Sequence, residues 1–256
     1  MRKKRALDPE VKSFAAHLAD FRGLLVRIAL GLCLGICIAM PLAPRIYIWL
    51  KIPFDRSGLD VVLRVTQVGG GFAVFLRVAL WSGLLLSFPF LVVFLALYLL
   101  PALHERERQV AWQIGGASLL LFLLGSGMAY YWTVPVALRF MVRIEDWMDT
   151  PAIFWETASY ISFVLRLLLA FGAAFQLPIL VVLLGTSGLV SSDQLRAGRR
   201  YVITGLSVLA MLLTPPDPFT MVLMALPLVV LFEITIWLVF GLERRRGGAA
   251  PQPPEE

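Results

Sequence analysis

Residues 201–240 read YVITGLSVLAMLLTPPDPFTMVLMALPLVVLFEITIWLVF. Two apolar runs, 201–213 and 219–240, flank the break Thr214-Pro215-Pro216-Asp217-Pro218. Prolines at 215, 216 and 218 remove three amide hydrogens, so no helix passes through and the chain turns. The first run has about 13 apolar residues and covers roughly 20 Å of a hydrocarbon core near 30 Å thick. Either its flank at 198–200 snorkels or the bilayer thins beside it. The second run is longer, although Pro227 interrupts it.

Four further apolar runs precede this hairpin, at 24–44, 72–100, 110–132 and 161–184. Hydrophobic residues make up 59% of the chain and charged ones 16%, against roughly 25% charged in soluble domains. Mean hydropathy is +0.81. The reading is an all-α polytopic membrane protein with six spans, the last two short, forming a single domain over residues 1–242. A polar stretch separates Arg2-Lys3-Lys4-Arg5 from the first run, which is also too long for the core of a secretory signal. The first span is therefore read as retained.

Six spans put both termini on one side. One side carries Arg2, Lys3, Lys4, Arg5, Lys12, Arg22, Arg27, Arg106, Arg108, Arg196, Arg199, Arg200 and Arg244 to Arg246, fifteen cations in all. The other carries six: Arg45, Lys51, Arg56, Arg64, Arg139 and Arg143. The positive-inside rule then makes both termini cytoplasmic. The net charge of +6 is thus an orientation signal and an attraction to lipid headgroups, and no nucleic-acid partner is expected.

Residues 1–12 read as loose. Phe14, Leu18, Phe21 and Leu25 then recur at helical spacing, giving an amphipathic interfacial helix over about 13–23 that runs into the first span. The first outside segment, 45–71, carries Tyr47, Trp49 and Phe54, reads as a short strand or extended piece at 61–65, and ends on Gly69-Gly70-Gly71. The second, 139–160, combines Glu145, Asp146, Asp149 and Glu156 with Trp147 and Trp155, as a helix lying along the outer interface would. Ser191-Ser192-Asp193-Gln194 reads as a helix N-cap, and the tail 243–256 as disordered.

Ionisable groups inside a span are the places to seek function, because each costs several kcal/mol to hold in lipid. Glu233 stands about 10 Å from the cytoplasmic end of the last span. It is either half of an internal ion pair or part of a polar patch lining a substrate path. Arg77 and Arg166 sit near outer ends, where long side chains snorkel to water. Gln176 lies two residues before Pro178, so a helix bend held by local polar groups accounts for that pair. Asp20 and Glu107 fall at the cytoplasmic surface, where they are solvated acids unless spaced to receive two guanidiniums. Cys33 and Cys37 share a helix face and read as small packing residues. His17 and His104 are the only histidines, and no metal-spaced set or nucleotide loop is present, so no cofactor and no enzyme activity are expected.

Taken in order, the motifs resemble the TatC family, the polytopic subunit of the twin-arginine protein translocase. His17-Leu18-Ala19-Asp20-Phe21-Arg22 is similar to that family's H-L-x-E-L-R opening. Ser87-Phe88-Pro89, Tyr98-Leu99-Leu100-Pro101-Ala102-Leu103, Glu107-Arg108, Tyr160-Ile161-Ser162-Phe163, Ala170-Phe171-Gly172, Phe175-Gln176-Leu177-Pro178, Leu213-Thr214-Pro215-Pro216-Asp217 and Phe232-Glu233-Ile234 follow in sequence. The resemblance spans roughly residues 14–242. It implies a concave, cup-like six-helix array in the inner membrane that is not an enzyme. It also implies a receptor for paired-arginine signal peptides that exports folded proteins on the proton-motive force, self-associates, and works with single-span partners of the TatA and TatB type.

The same resemblance carries the paired-arginine site onto Asp20 and Glu107, with Arg22, Tyr98 and Arg108 from the same motifs. It places Gln176, Glu233 and Asp217 on the concave face toward partners. Asp20 stands where Glu is usual, Gln176 where Glu is frequent, Ala96 where Trp is common and Tyr98 where Phe is common. An amide at 176 takes up no proton and bears no formal charge, which excludes a titrating group at that position. A secondary transporter of a small solute is the alternative, but it predicts inverted repeats, and the two halves share nothing beyond hydropathy.

Overall fold

The computed structural model describes residues 14–99, 107–150, 153–186, 190–213 and 218–247. Five helical stretches are long and apolar enough to cross a membrane: Phe21–Asp55, Gly70–Leu95, Gln113–Trp147, Thr157–Gly185 and Met221–Gly241. A sixth helix, Arg199–Leu213, has 15 residues and so extends about 22 Å, short of the roughly 30 Å hydrocarbon core.

Helix α1 (Phe14–Asp55) is continuous from the amphipathic segment into the first span and on past Pro41, Pro44 and Pro53. The helix thus runs eleven residues beyond the expected end of the span at 44. The extension persists because its lost hydrogen bonds and apolar face find partners. Pro53 lacks the N–H that would meet the Trp49 carbonyl, and the Tyr130 hydroxyl donates to it instead at 2.6 Å. Leu50 and Phe54 are buried, with Phe54 edge-on to Tyr160 at 5.3 Å. Lys51 and Asp55 add an exposed ion pair at 3.5 Å.

Gly69, at φ +77°, turns the chain into α2 (Gly70–Leu99), which returns antiparallel to α1. The two helices meet through a small-residue stripe in which Gly35, Ala39 and Ala43 of α1 face Gly83 and Val78 of α2. Cys33 and Cys37 lie off that stripe and are exposed, so the packing role expected of them falls to Gly35 and Ala39. Helix α3 (Glu107–Met128) continues through a π-helical turn, Ala129–Thr133, into α4 (Val134–Trp147). The helical piece expected in the second outside segment is therefore the continuation of the third span.

Two short strands, β1 (Val62–Arg64) and β2 (Phe154–Glu156), pair in parallel with Val62 opposite Phe154. They tie the two outside segments together. Helix α5 (Thr157–Ala174) then runs through the centre of the bundle, with Ile161, Val164, Leu165, Leu167 and Phe171 almost fully buried against α2 and α3. Arg77 does not merely snorkel: its guanidinium donates to the Ala158 carbonyl at 3.2 Å and to Ser162 Oγ at 3.1 Å, fastening α2 to the start of α5. Arg166 is exposed.

The chain breaks at Phe175 and Gln176 and resumes as α6 (Leu177–Thr186). Ser191 caps α7 (Ser192–Ala197) with a reciprocal Ser191–Gln194 capping box. Helix α8 (Arg199–Leu213) and α9 (Pro218–Gly247) form the terminal hairpin, and α9 packs on α6, α7 and α8. The tail expected to be disordered from residue 243 is helical to Gly247. Arg244 stacks over the Phe240 ring at 5.1 Å, one turn back, which favours the extra turn.

Candidate functional site

Helix register locates the predicted signal-peptide residues even though the side chains of Asp20, Tyr98, Glu107 and Arg108 lie outside the described part of the structure. Ser87 Oγ of α2 donates to the Gly31 carbonyl of α1 at 3.0 Å, fixing the antiparallel register of that pair. Asp20 stands eleven residues before Gly31, and Tyr98 eleven after Ser87. Equal steps of about 16 Å from a shared contact bring both to one level. Ser118 of α3 lies 3.3 Å from the Pro89 carbonyl of α2. Eleven residues back from Ser118 is Glu107, which by the same measure reaches that level too. The backbone thus gathers Asp20, Tyr98 and Glu107 at one end of the bundle, with Arg22 exposed nearby on α1. Asp217 lies outside the described residues.

Gln176 stands in the middle of the bundle and is 2% exposed. Its own N–H bonds the Ala173 carbonyl, so the Gly172 carbonyl is met by the side-chain Nε2 at 3.4 Å. The same Nε2 donates to the Ser118 carbonyl at 3.0 Å, and Ser118 Oγ donates back to Gln176 Oε1 at 2.7 Å. This closed exchange joins α3 to the α5–α6 break. The amide is enclosed between helices here, as a bend held by local polar groups requires. Ser118 was not singled out from the sequence. Its one signal is a hydroxyl within an apolar span, of the kind that bonds across helices.

Glu233 of α9 accepts a hydrogen bond from Arg199 Nη2 of α8 at 2.7 Å, with the side chains 34% and 47% exposed. The ion pair, one of the accounts open for this acid, is present. The sequence alone assigns Arg199 to membrane orientation and to the flank at 198–200. Arg196 stacks over the Phe240 ring at 4.7 Å, so the start of the α8–α9 hairpin is held by cations on both sides. The pair is half-solvated, and exposed pairs contribute little. Exchanging the charges, Arg199→Glu with Glu233→Arg, is expected to restore most of a loss of about 1 kcal/mol or less seen in either single variant. Unfolding in detergent measures this.

Among the described residues no group of three or more His, Cys, Asp or Glu side chains could hold a metal ion. What the arrangement does chemically is lock a polar joint between α3 and the α5–α6 break, while backbone register brings positions 20 and 107 to one end of the bundle.

Residues 16–227 match the family model described as Sec-independent protein translocase protein (TatC). The chain is 31% identical over 242 residues to the Sec-independent protein translocase protein TatC of Magnetococcus marinus, covering 94% of this chain and 89% of that one. It is 32% identical to the protein of that name from Aquifex aeolicus, over 87% of this chain and 92% of the other. The Escherichia coli K12 protein of the same name is 30% identical, covering 89% and 88%. A crystal structure titled as the twin arginine translocase receptor TatC in DDM superposes with a TM-score of 0.76 at 31% identity, over 87% of this chain and 98% of that chain.

Proposed function

The chain belongs to the TatC family of Sec-independent protein translocase proteins, and from that premise we propose that it is the signal-peptide receptor and core subunit of a twin-arginine translocase. In this reading Asp20 and Glu107 each receive one guanidinium of the paired arginines, and Arg22, Tyr98 and Arg108 shape the rim around them. A carboxylate accepts the planar arginine fork through two parallel hydrogen bonds, whereas lysine offers only a point charge, which accounts for a preference for arginine. The termini and this rim face the cytoplasm, and the protein resides in the inner membrane. Single-span partners of the TatA and TatB type join it, the α8–α9 hairpin with Glu233 and Asp217 being the contact region, and the proton-motive force drives export. Gln176 serves by locking α3 to α5, since its amide does not titrate.

The observation that carries the reading is the common level of Asp20, Tyr98 and Glu107, which the α1–α2 and α2–α3 contacts set independently. Asp20→Ala or Glu107→Ala is expected to lower crosslinking to a twin-arginine precursor at least tenfold, while Asp20→Glu retains it. The wild-type chain should bind a twin-lysine version of the precursor as poorly as the alanine variants bind the native one. Undiminished crosslinking in both alanine variants would remove the site assignment.

A further inference from the structure

A groove of about 520 Å³ runs between α1 and α3, floored by α2 and α5. Leu42, Leu86, Leu123 and Leu168 are among its walls, and its two serines offer little. The Ser126 hydroxyl is engaged by the Leu168 carbonyl at 3.1 Å, leaving Ser82 Oγ as the one unmatched hydroxyl. At its upper end Trp49 and Tyr130 close the gap, stacked at 6.4 Å and joined by the tyrosine hydroxyl. Such aromatics mark the level where hydrocarbon gives way to headgroups. From Ala39 to Trp49 the groove follows about 15 Å of helix, half of a roughly 30 Å core. Arg45 lies on this wall about one turn below Trp49; it is exposed, and it has no ion-pair or hydrogen-bond partner among the described residues.

We propose that this groove binds one acyl chain of an anionic phospholipid, whose phosphate is held by Arg45. The lining separates this occupant from a peptide. An extended peptide would bring backbone N–H and C=O groups into a lining made almost wholly of apolar side chains, which hydrocarbon surroundings do not tolerate. A lipid tail asks for no hydrogen bonds. An exposed guanidinium one turn from the aromatic level is long enough to snorkel to a headgroup phosphate. No described acid offsets it, so the headgroup of choice carries net negative charge.

The test counts lipids retained by the full chain after purification from vesicles of equimolar phosphatidylglycerol and phosphatidylethanolamine, by native mass spectrometry. One phosphatidylglycerol per chain is expected, at least fivefold over phosphatidylethanolamine. Gly127 lines the groove, and a Cβ added there meets nothing within 4 Å, so Gly127→Leu fills the space without a clash. That variant should lose the retained lipid at least fivefold. Arg45→Gln, at an exposed position, should still retain a lipid but show no headgroup preference. Equal retention of both lipids by the wild type, full retention in Gly127→Leu, or an unchanged preference in Arg45→Gln would each overturn the proposal. So would a photocrosslinker at Leu123 that captures the apolar segment of a precursor in place of lipid.

Discussion

Replacing Gln176 with glutamate is expected to destabilise the folded chain by on the order of 3 kcal/mol, although the two side chains have nearly the same shape. The Nε2 group faces two carbonyl oxygens, Ser118 O at 3.0 Å and Gly172 O at 3.4 Å. An ionised carboxylate would set oxygen against oxygen at both contacts in a site that is 2% exposed. A protonated one could satisfy only a single carbonyl. Gln176→Leu should cost less, because it removes the donor without adding a charge, though it leaves the Ser118 and Gly172 carbonyls without the Nε2 group and the Ser118 hydroxyl with the Pro89 carbonyl alone. The order wild type, leucine, glutamate in unfolding midpoint checks this. A glutamate variant as stable as the wild type would show that the amide is not engaged as described.

Gly83→Leu is expected to be at least as damaging. A Cβ at this position would lie 2.6 Å from Ile36 Cα and 2.8 Å from Ile36 N. Those are backbone atoms, so no rotamer change relieves the overlap and α1 must move away from α2. Overpacking a fixed site costs about 1–3 kcal/mol. Here the separation would also break the Ser87 bond to Gly31 that sets the register of Asp20 against Tyr98. Precursor crosslinking should therefore fall along with stability. Gly116→Leu, where an added Cβ meets nothing within 4 Å, is the matched control and should change neither. Comparable unfolding midpoints for Gly83→Leu and Gly116→Leu would contradict the close crossing.

What could be read from the sequence was whatever local chemistry decides. The bend at Gln176-Leu177-Pro178 follows from a missing N–H, and the Ser191 cap from a hydroxyl placed three residues before Gln194. The brevity of α8 follows from the prolines after it. What stayed hidden depends on partners distant in sequence. Pro44 signals an end to a span, yet α1 continues, because Tyr130 and Tyr160 of later helices donate to the Trp49 and Leu50 carbonyls. Nothing near Arg77 shows that Ala158 and Ser162 will receive its guanidinium. No spacing pairs Glu233 with Arg199, 34 residues earlier, or Ser118 with Gln176. For the candidate site, the identities of Asp20 and Glu107 came from motif order. Their common level needed two interhelical bonds that no periodicity reveals.

The parallel pairing of Val62–Arg64 with Phe154–Glu156 bears on biogenesis. The first strand is synthesised before α2, and its mate only after α4, so the opening hairpin must enter the bilayer with a strand edge unmatched. Contacts between segments so distant in the chain form late, because the intervening loop has to close first. The strand pair is therefore a finishing clasp and not a nucleus. A nascent chain halted before residue 154 would hold its first three crossings with their outer connections unlatched, open to protease until the clasp can close.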